Sequence, residues 1–220
     1  MTTKWNTFIN KNAAVVFVLA VLLSSTARAG TGPVSNYLKE TLNQIIEVLN
    51  NPSLQTPDKE DERRDILLKL IKKRINEEAF AIKALGAHWQ NRTEEEKKEF
   101  VEIFSDLLER TYLKKIDDYL AKAGTFSEKN ILYLNETTKG PYVVIETKII
   151  VSKDTEIPVH YLFQNKQGDW LAIDIAIEGV SLVKNYRAQF SEILSQSSFE
   201  ELITRLKSKQ QGKISGQEKQ

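Results

Sequence analysis

Between Trp170 and Phe190 the chain reads WLAIDIAIEGVSLVKNYRAQF, and its hydrophobic period changes part-way through. Ile173, Ile175 and Ile177 alternate with Ala172, Asp174 and Ala176. Strong β-formers with small neighbours suit a central strand covered on both faces, and only Asp174 interrupts the apolarity. Gly179 then allows a backbone angle closed to other residues, and Val183, Tyr186 and Phe190 follow at helical spacing. The segment predicts a strand, a corner and a helix.

Upstream, Val34, Leu38, Leu42, Ile45, Ile46 and Leu49 mark one face of a helix. Pro52 and Pro57 end it and make 51–58 a connection. A second helix is predicted over 59–76, with Asp58, Glu60, Asp61 and Glu62 at its start, where the helix dipole favours acids. Phe80, Leu85 and Trp89 give a short helical apolar segment. Thr93 and Glu96 form a reciprocal capping box for a long helix lined by Phe100, Phe104, Leu107, Leu108 and Tyr112, continuing through Ile116, Tyr119 and Leu120 to Gly124. Strands are predicted over 130–136, 142–151, 157–164 and 170–177, with turn residues between them that favour hairpins. Helices starting near Leu182 and at Ser198 close the order, and residues beyond Lys207 are polar. Helices, then a meander of strands, then helices describe an α+β domain: a curled, mostly antiparallel four-stranded sheet packed against several helices.

The first 29 residues change the picture. Lys4 and Lys11 precede an unbroken apolar run from Ala13 to Leu23, followed by Ala27-Arg28-Ala29, the pattern of a secretory signal peptide cleaved after Ala29. The run falls well short of the roughly 20 residues a membrane-spanning helix needs. A lipid-modified leader would need a cysteine, and the chain has none. The expected organisation is therefore a leader at 1–29, one domain at 30–207 and a polar tail at 208–220. Taking Lys4, Lys11 and Arg28 from the 31 basic residues leaves 28 against 30 acids, a net charge of about −2. That near-balance argues against a nucleic-acid partner. Without disulfides, the domain must be held by its own core.

Catalytic groups are scarce. His88 and His160 are the two histidines, and the sequence contains no GxSxG, HExxH or phosphate-cradling glycine loop. His88 reads as a packing or capping residue, and His160 points away from Val159 and Tyr161 on its strand. Ser181 has no histidine near it in sequence and its corner lacks the flanking glycines of a nucleophile elbow. Asp174 and Glu178 stand about 13 Å apart along a strand, too far to work as an acid–base pair, and a base such as Lys184 or Arg187 would explain either as structural. The expectation is a protein that is not an enzyme and carries no metal or cofactor.

The whole EGVSLVKNYRAQF string, together with ALGAHW at 84–89, FVEIFSDLLERTY at 100–112 and IPVHYLF at 157–163, closely resembles the MlaC family of periplasmic phospholipid-binding proteins, also called toluene-tolerance proteins. The blocks span most of the chain beyond the leader, and their order and spacing are more specific than any one of them. His160 stands where relatives often carry another polar residue. The resemblance implies a deep apolar pocket between sheet and helices that takes the acyl chains of a glycerophospholipid. It implies shuttling between membranes that maintains outer-membrane lipid asymmetry. The partners implied are an inner-membrane ABC transporter assembly with its substrate-binding component, and an outer-membrane lipoprotein associated with porins.

The pocket residues expected on that basis are Leu108, Tyr112, Val143, Ile145, Tyr161, Phe163, Ile173, Ile175, Val180, Leu182 and Tyr186, with Arg110, Lys184 and Arg187 as a head-group rim, since arginine favours phosphate. Each apolar residue suits an ordinary core equally well, because alternation says which residues share a face and not what covers it. A solvated face explains the three cations equally well. A carrier of hopanoid or another apolar lipid, an exported enzyme on a similar cone-shaped α+β fold, and an adaptor that scaffolds a complex are the alternatives.

Overall fold

The capping box at Thr93 forms as the sequence predicts: the Thr93 amide donates to Glu96 Oε2 at 2.8 Å and the Glu96 amide donates to Thr93 Oγ1 at 3.2 Å. In the computed structural model, which describes residues 32–123 and 126–212 except for the side chains of 113–123 and 210–212, the helix it opens is α4 (Glu94–Ala123). The leader at 1–29, Gly124, the side chains of Ile116, Tyr119 and Leu120, and the tail beyond 212 lie outside that description. Before α4 come α1 (Pro33–Asn50), α2 (Glu60–Lys72) and α3 (Glu77–Leu85), and the sheet follows it as β1 (Ile131–Lys139), β2 (Tyr142–Ser152), β3 (Thr155–Lys166), β4 (Asp169–Ile177) and β5 (Val180–Ser181). Helices α5 (Leu182–Gln196) and α6 (Phe199–Gly212) complete the chain, so helix continues past Lys207 into the polar segment. Among the described residues no helix is long and apolar enough to cross a membrane.

The five strands lie in sequence order and every neighbouring pair is antiparallel. The sheet has one strand more than the pattern predicts, because two-residue β5 is too short to show a period. The second predicted helix stops at Lys72 rather than running to Asn76. Beyond it the backbone turns to β4, where the Ala172 amide donates to the Arg74 carbonyl at 2.7 Å and the Asn76 amide donates to the Ala172 carbonyl at 2.9 Å. Asn76 then caps α3 by accepting from the Ala79 amide. The predicted apolar segment 80–89 divides at Gly86, whose φ of 56° ends α3, and the chain continues as a 3-10 turn, Gly86–Asn91.

Apolar side chains gather in distinct clusters. A helical core joins Phe80, Leu85, Phe100, Phe104, Phe190 and Leu202 from α3, α4, α5 and α6, with Phe100 and Phe104 each meeting Phe190 edge-on at 5.6 and 5.4 Å. Helix α1 lays Val34 and Leu38 on Val143, Ile145, Phe163 and Ala172 of the sheet. Further along α1, Ile46 meets Phe126 and Ile131. The far end of β2 and β3 buries Val151, Ile157 and Val159 together.

Candidate functional site

The corner between β4 and α5 is built by hydrogen bonds. Glu178 and Gly179 turn the chain with φ of 51° and 79°. Ser181 caps α5 by accepting from the Lys184 amide at 3.1 Å, and its hydroxyl donates to Asp174 Oδ2 at 2.6 Å. The other Asp174 oxygen accepts from the Val183 amide at 3.2 Å. The carboxylate is therefore held by the start of the helix rather than by Lys184 or Arg187, and Ser181 is engaged on both sides. These hydrogen bonds fix the corner and cap α5.

The inward face of the sheet is set by the register. Val143 opposes Phe163, Ile145 opposes Tyr161, Thr147 opposes Val159 and Ile149 opposes Ile157, while Tyr161 opposes Ile175 and Tyr133 opposes Thr147. Val143, Ile145 and Phe163 are closed off beneath α1. A second set on this face and its flanks is only half-buried and touches two clusters at once. Leu42 and Tyr133 join the two α1 clusters, and Ile149 joins one of them to the far-end cluster. Tyr161 joins α1 to the far end, Ile175 joins the far end to the helical core, and Ile75 joins the helical core to α1. These half-buried apolar and aromatic side chains make up a seam where the clusters meet.

The other expected residues divide around that seam. Leu108 and Tyr112 of α4 are half-buried against the helical core, and Tyr186 of α5 is buried in it. Ile173, at the irregularity in the β3–β4 register, is fully covered, and Leu182 is buried at the start of α5. Val180 stands apart, 55% exposed on β5. Of the rim cations, Arg110 is exposed and donates to both oxygens of Asp106 at 2.9 Å. Arg187 donates to the Lys83 carbonyl at 2.6 Å and ties α5 to the end of α3. Lys184 is exposed. His160 lies between Glu146 and Ala176 on the opposite face, as alternation predicts.

Phenols supply the polar groups near the seam. Burial pushes the Tyr161 hydroxyl up to about 12, and Thr147 is its hydrogen-bond partner. Thr147, fully buried, sends its own proton to the Val159 carbonyl at 2.9 Å. The phenols of Tyr112, Tyr133 and Tyr186 are likewise held above the ordinary range, chiefly by burial, and Tyr112 and Tyr186 hydrogen-bond to each other. Tyr133, Ile149, Leu42 and Ile75 are seam residues absent from the expected site, although the alternation of Ile131 with Tyr133 and the stripe on α1 carry the signal for two of them. Elsewhere, a surface cleft of about 330 Å³ between α3 and the end of β3 is lined by Asn76, Glu78, Ala79, Ile82, Gln164, Asn165 and Lys166. Five of these seven residues have polar side chains, and none of the expected residues belongs to the cleft. No group of acids and histidines suited to a metal occurs among the described residues.

The chain and its fold match known proteins. The family model described as MlaC protein aligns with residues 39–208. The chain belongs to the MlaC family. A relative from Haemophilus influenzae, the intermembrane phospholipid transport system binding protein MlaC, is 23% identical over 209 residues, covering 92% of this chain and 91% of its own length. The MlaC-type fold is shared by a solved structure of the phospholipid-binding protein from Ralstonia solanacearum in complex with a phospholipid, with a TM-score of 0.65, 19% identity, and coverage of 79% of this chain and 94% of that one.

Proposed function

We propose that this MlaC-family chain is a periplasmic carrier that holds glycerophospholipids with their acyl chains in the seam and shuttles them between inner- and outer-membrane complexes, thereby maintaining lipid asymmetry. The observation that carries this reading is the half-buried set Tyr133, Ile149, Tyr161 and Ile175, apolar and aromatic side chains on the inward face of the sheet that the protein's own cores leave incompletely covered. The names of the two similar proteins, one a phospholipid transport binding protein and one seen with a phospholipid, support the choice of cargo. Residues 1–29 act as the cleavable export leader, and no covalent chemistry is involved. The partners are an inner-membrane ABC transporter assembly with its substrate-binding component and an outer-membrane lipoprotein–porin complex.

The energetics favour a carrier. A diacyl lipid has on the order of 30 methylene and methyl groups, each worth about 0.8 kcal/mol on leaving water, so unassisted passage through an aqueous compartment is closed. Bilayer and seam are both apolar, so transfer between them is nearly balanced and runs in either direction. Because few polar contacts are needed, head-group selection by the rim is weak, and Arg110 and Arg187 already have partners within the protein. The decisive experiment is solvent extraction of the protein purified from the periplasm, followed by mass spectrometry. A diacyl phospholipid in the extract is expected; an empty protein that takes nothing from liposomes would remove the carrier reading, and hopanoid would redirect it. Ile175→Glu places a charge in the seam and is expected to cut loading at least tenfold while the variant stays folded by circular dichroism.

A further inference from the structure

One phenol on the inward face makes no hydrogen bond within the described protein. Tyr133 projects from β1 beside Thr147 of β2 and packs against the α1 clusters, near Leu42 and Ile149. Its neighbour Tyr161 bonds to Thr147, and Thr147 in turn donates to the Val159 carbonyl, so both of those hydroxyls are engaged. Tyr133 is half-buried, and its phenol interacts electrostatically with that of Tyr161 and with the carboxylate of Glu128. Glu128 is exposed and pairs with Lys39 of α1 at 3.7 Å, so this phenol marks a boundary between apolar seam and charged surface. Burial also holds its proton more firmly than usual, which keeps it a donor at all physiological pH values.

Amphipathic tyrosine rings suit boundaries of this kind, with the ring among apolar groups and the hydroxyl within reach of water or of a polar ligand atom. A diacyl lipid carries its only acceptors near the hydrocarbon at the ester linkages, where acyl chain meets glycerol. With its chains in the seam, those esters lie at the level where apolar lining gives way to charge. Resting on the carrier reading, we propose that Tyr133 donates a hydrogen bond to an ester carbonyl of the bound lipid, completing a bond the protein leaves open and selecting ester-linked acyl lipids over ether-linked or purely hydrocarbon ones.

The test uses the mature protein, delipidated and then incubated with vesicles of either a diester phosphatidylcholine or the diether analogue with the same chains. Wild type is expected to load the diester about 3- to 10-fold in preference, the range one net hydrogen bond supplies. Tyr133→Phe keeps the ring and is expected to load both lipids equally, whereas Tyr161→Phe keeps the preference. With the ester carbonyls labelled with carbon-13, their infrared stretch is expected to move to lower frequency on binding wild type and to return in Tyr133→Phe. A merely structural tyrosine would leave that band unchanged. Equal loading of the two lipids by wild type, or a preference that survives in Tyr133→Phe, overturns the assignment while leaving the carrier reading intact. Failure to load either lipid overturns both.

Discussion

Tyr161 combines two roles that alternation alone cannot separate. Its ring belongs to the seam, and its hydroxyl is part of a chain that ends on the Val159 carbonyl through Thr147. Burial raises its pKa to about 12 from the ordinary value near 10, so the folded state binds the phenolic proton more tightly than the unfolded chain does. This contribution to stability is complete below about pH 10 and is lost as pH rises from about 10 through 12. Urea unfolding at pH 8 and at pH 11 is expected to show wild type losing more stability between the two than Tyr161→Phe loses. Tyr112, Tyr133 and Tyr186 shift in the same direction but are present in both proteins, so the difference isolates Tyr161. A wild-type loss no larger than the variant's would mean that this phenol is well hydrated in the fold.

At the scale of elements, most of what the sequence makes legible is local. The Thr93–Glu96 box and the Ser198 cap are side chains bonding a few residues away, and both form where the sequence predicts. Strand alternation likewise predicts the covered residues of β2 and β3. The illegible parts are contacts distant in sequence. Glu136 of β1 accepts from the Ser35 amide and hydroxyl at 2.7 and 2.6 Å and anchors the start of α1, and a Cβ at Gly32 would run into its carboxylate. Nothing in the local pattern of either segment shows that pairing. For the same reason the division of the expected site into closed core, such as Ile145, and open seam, such as Ile175, depends on where α1 lies, which the period of a strand does not encode. Asp174 is the instructive case, since its acidity suggested a basic partner and the fold supplied a helix terminus. Removing it by Asp174→Ala leaves the Val183 amide and the Ser181 hydroxyl without their acceptor and is expected to lower stability by about 1–2 kcal/mol. Denaturant unfolding measures that loss, and lipid loading by the folded fraction is expected to be unchanged, which separates the corner's structural work from the seam's.

For the whole molecule, the seam sets a relation between cargo and stability. Four apolar clusters are joined through half-buried residues whose exposed apolar surface a cargo could cover. A cargo occupying the seam supplies the missing contacts and is bound by the folded state alone, so it stabilises by mass action, by about 2.7 kcal/mol at a free concentration a hundred times the dissociation constant. With the net charge close to balance and no disulfide in the chain, little else is available to hold an emptied seam in shape. The delipidated protein is therefore expected to unfold at a lower temperature than the protein as purified, and incubation with phospholipid vesicles is expected to raise it again. Ile175→Glu, unable to load, is expected to unfold at one temperature whether or not vesicles are present. Differential scanning calorimetry of the five samples decides the matter: a stripped wild type as stable as the loaded one would mean that the seam is already filled by the protein's own side chains, and that the lipid is held somewhere else.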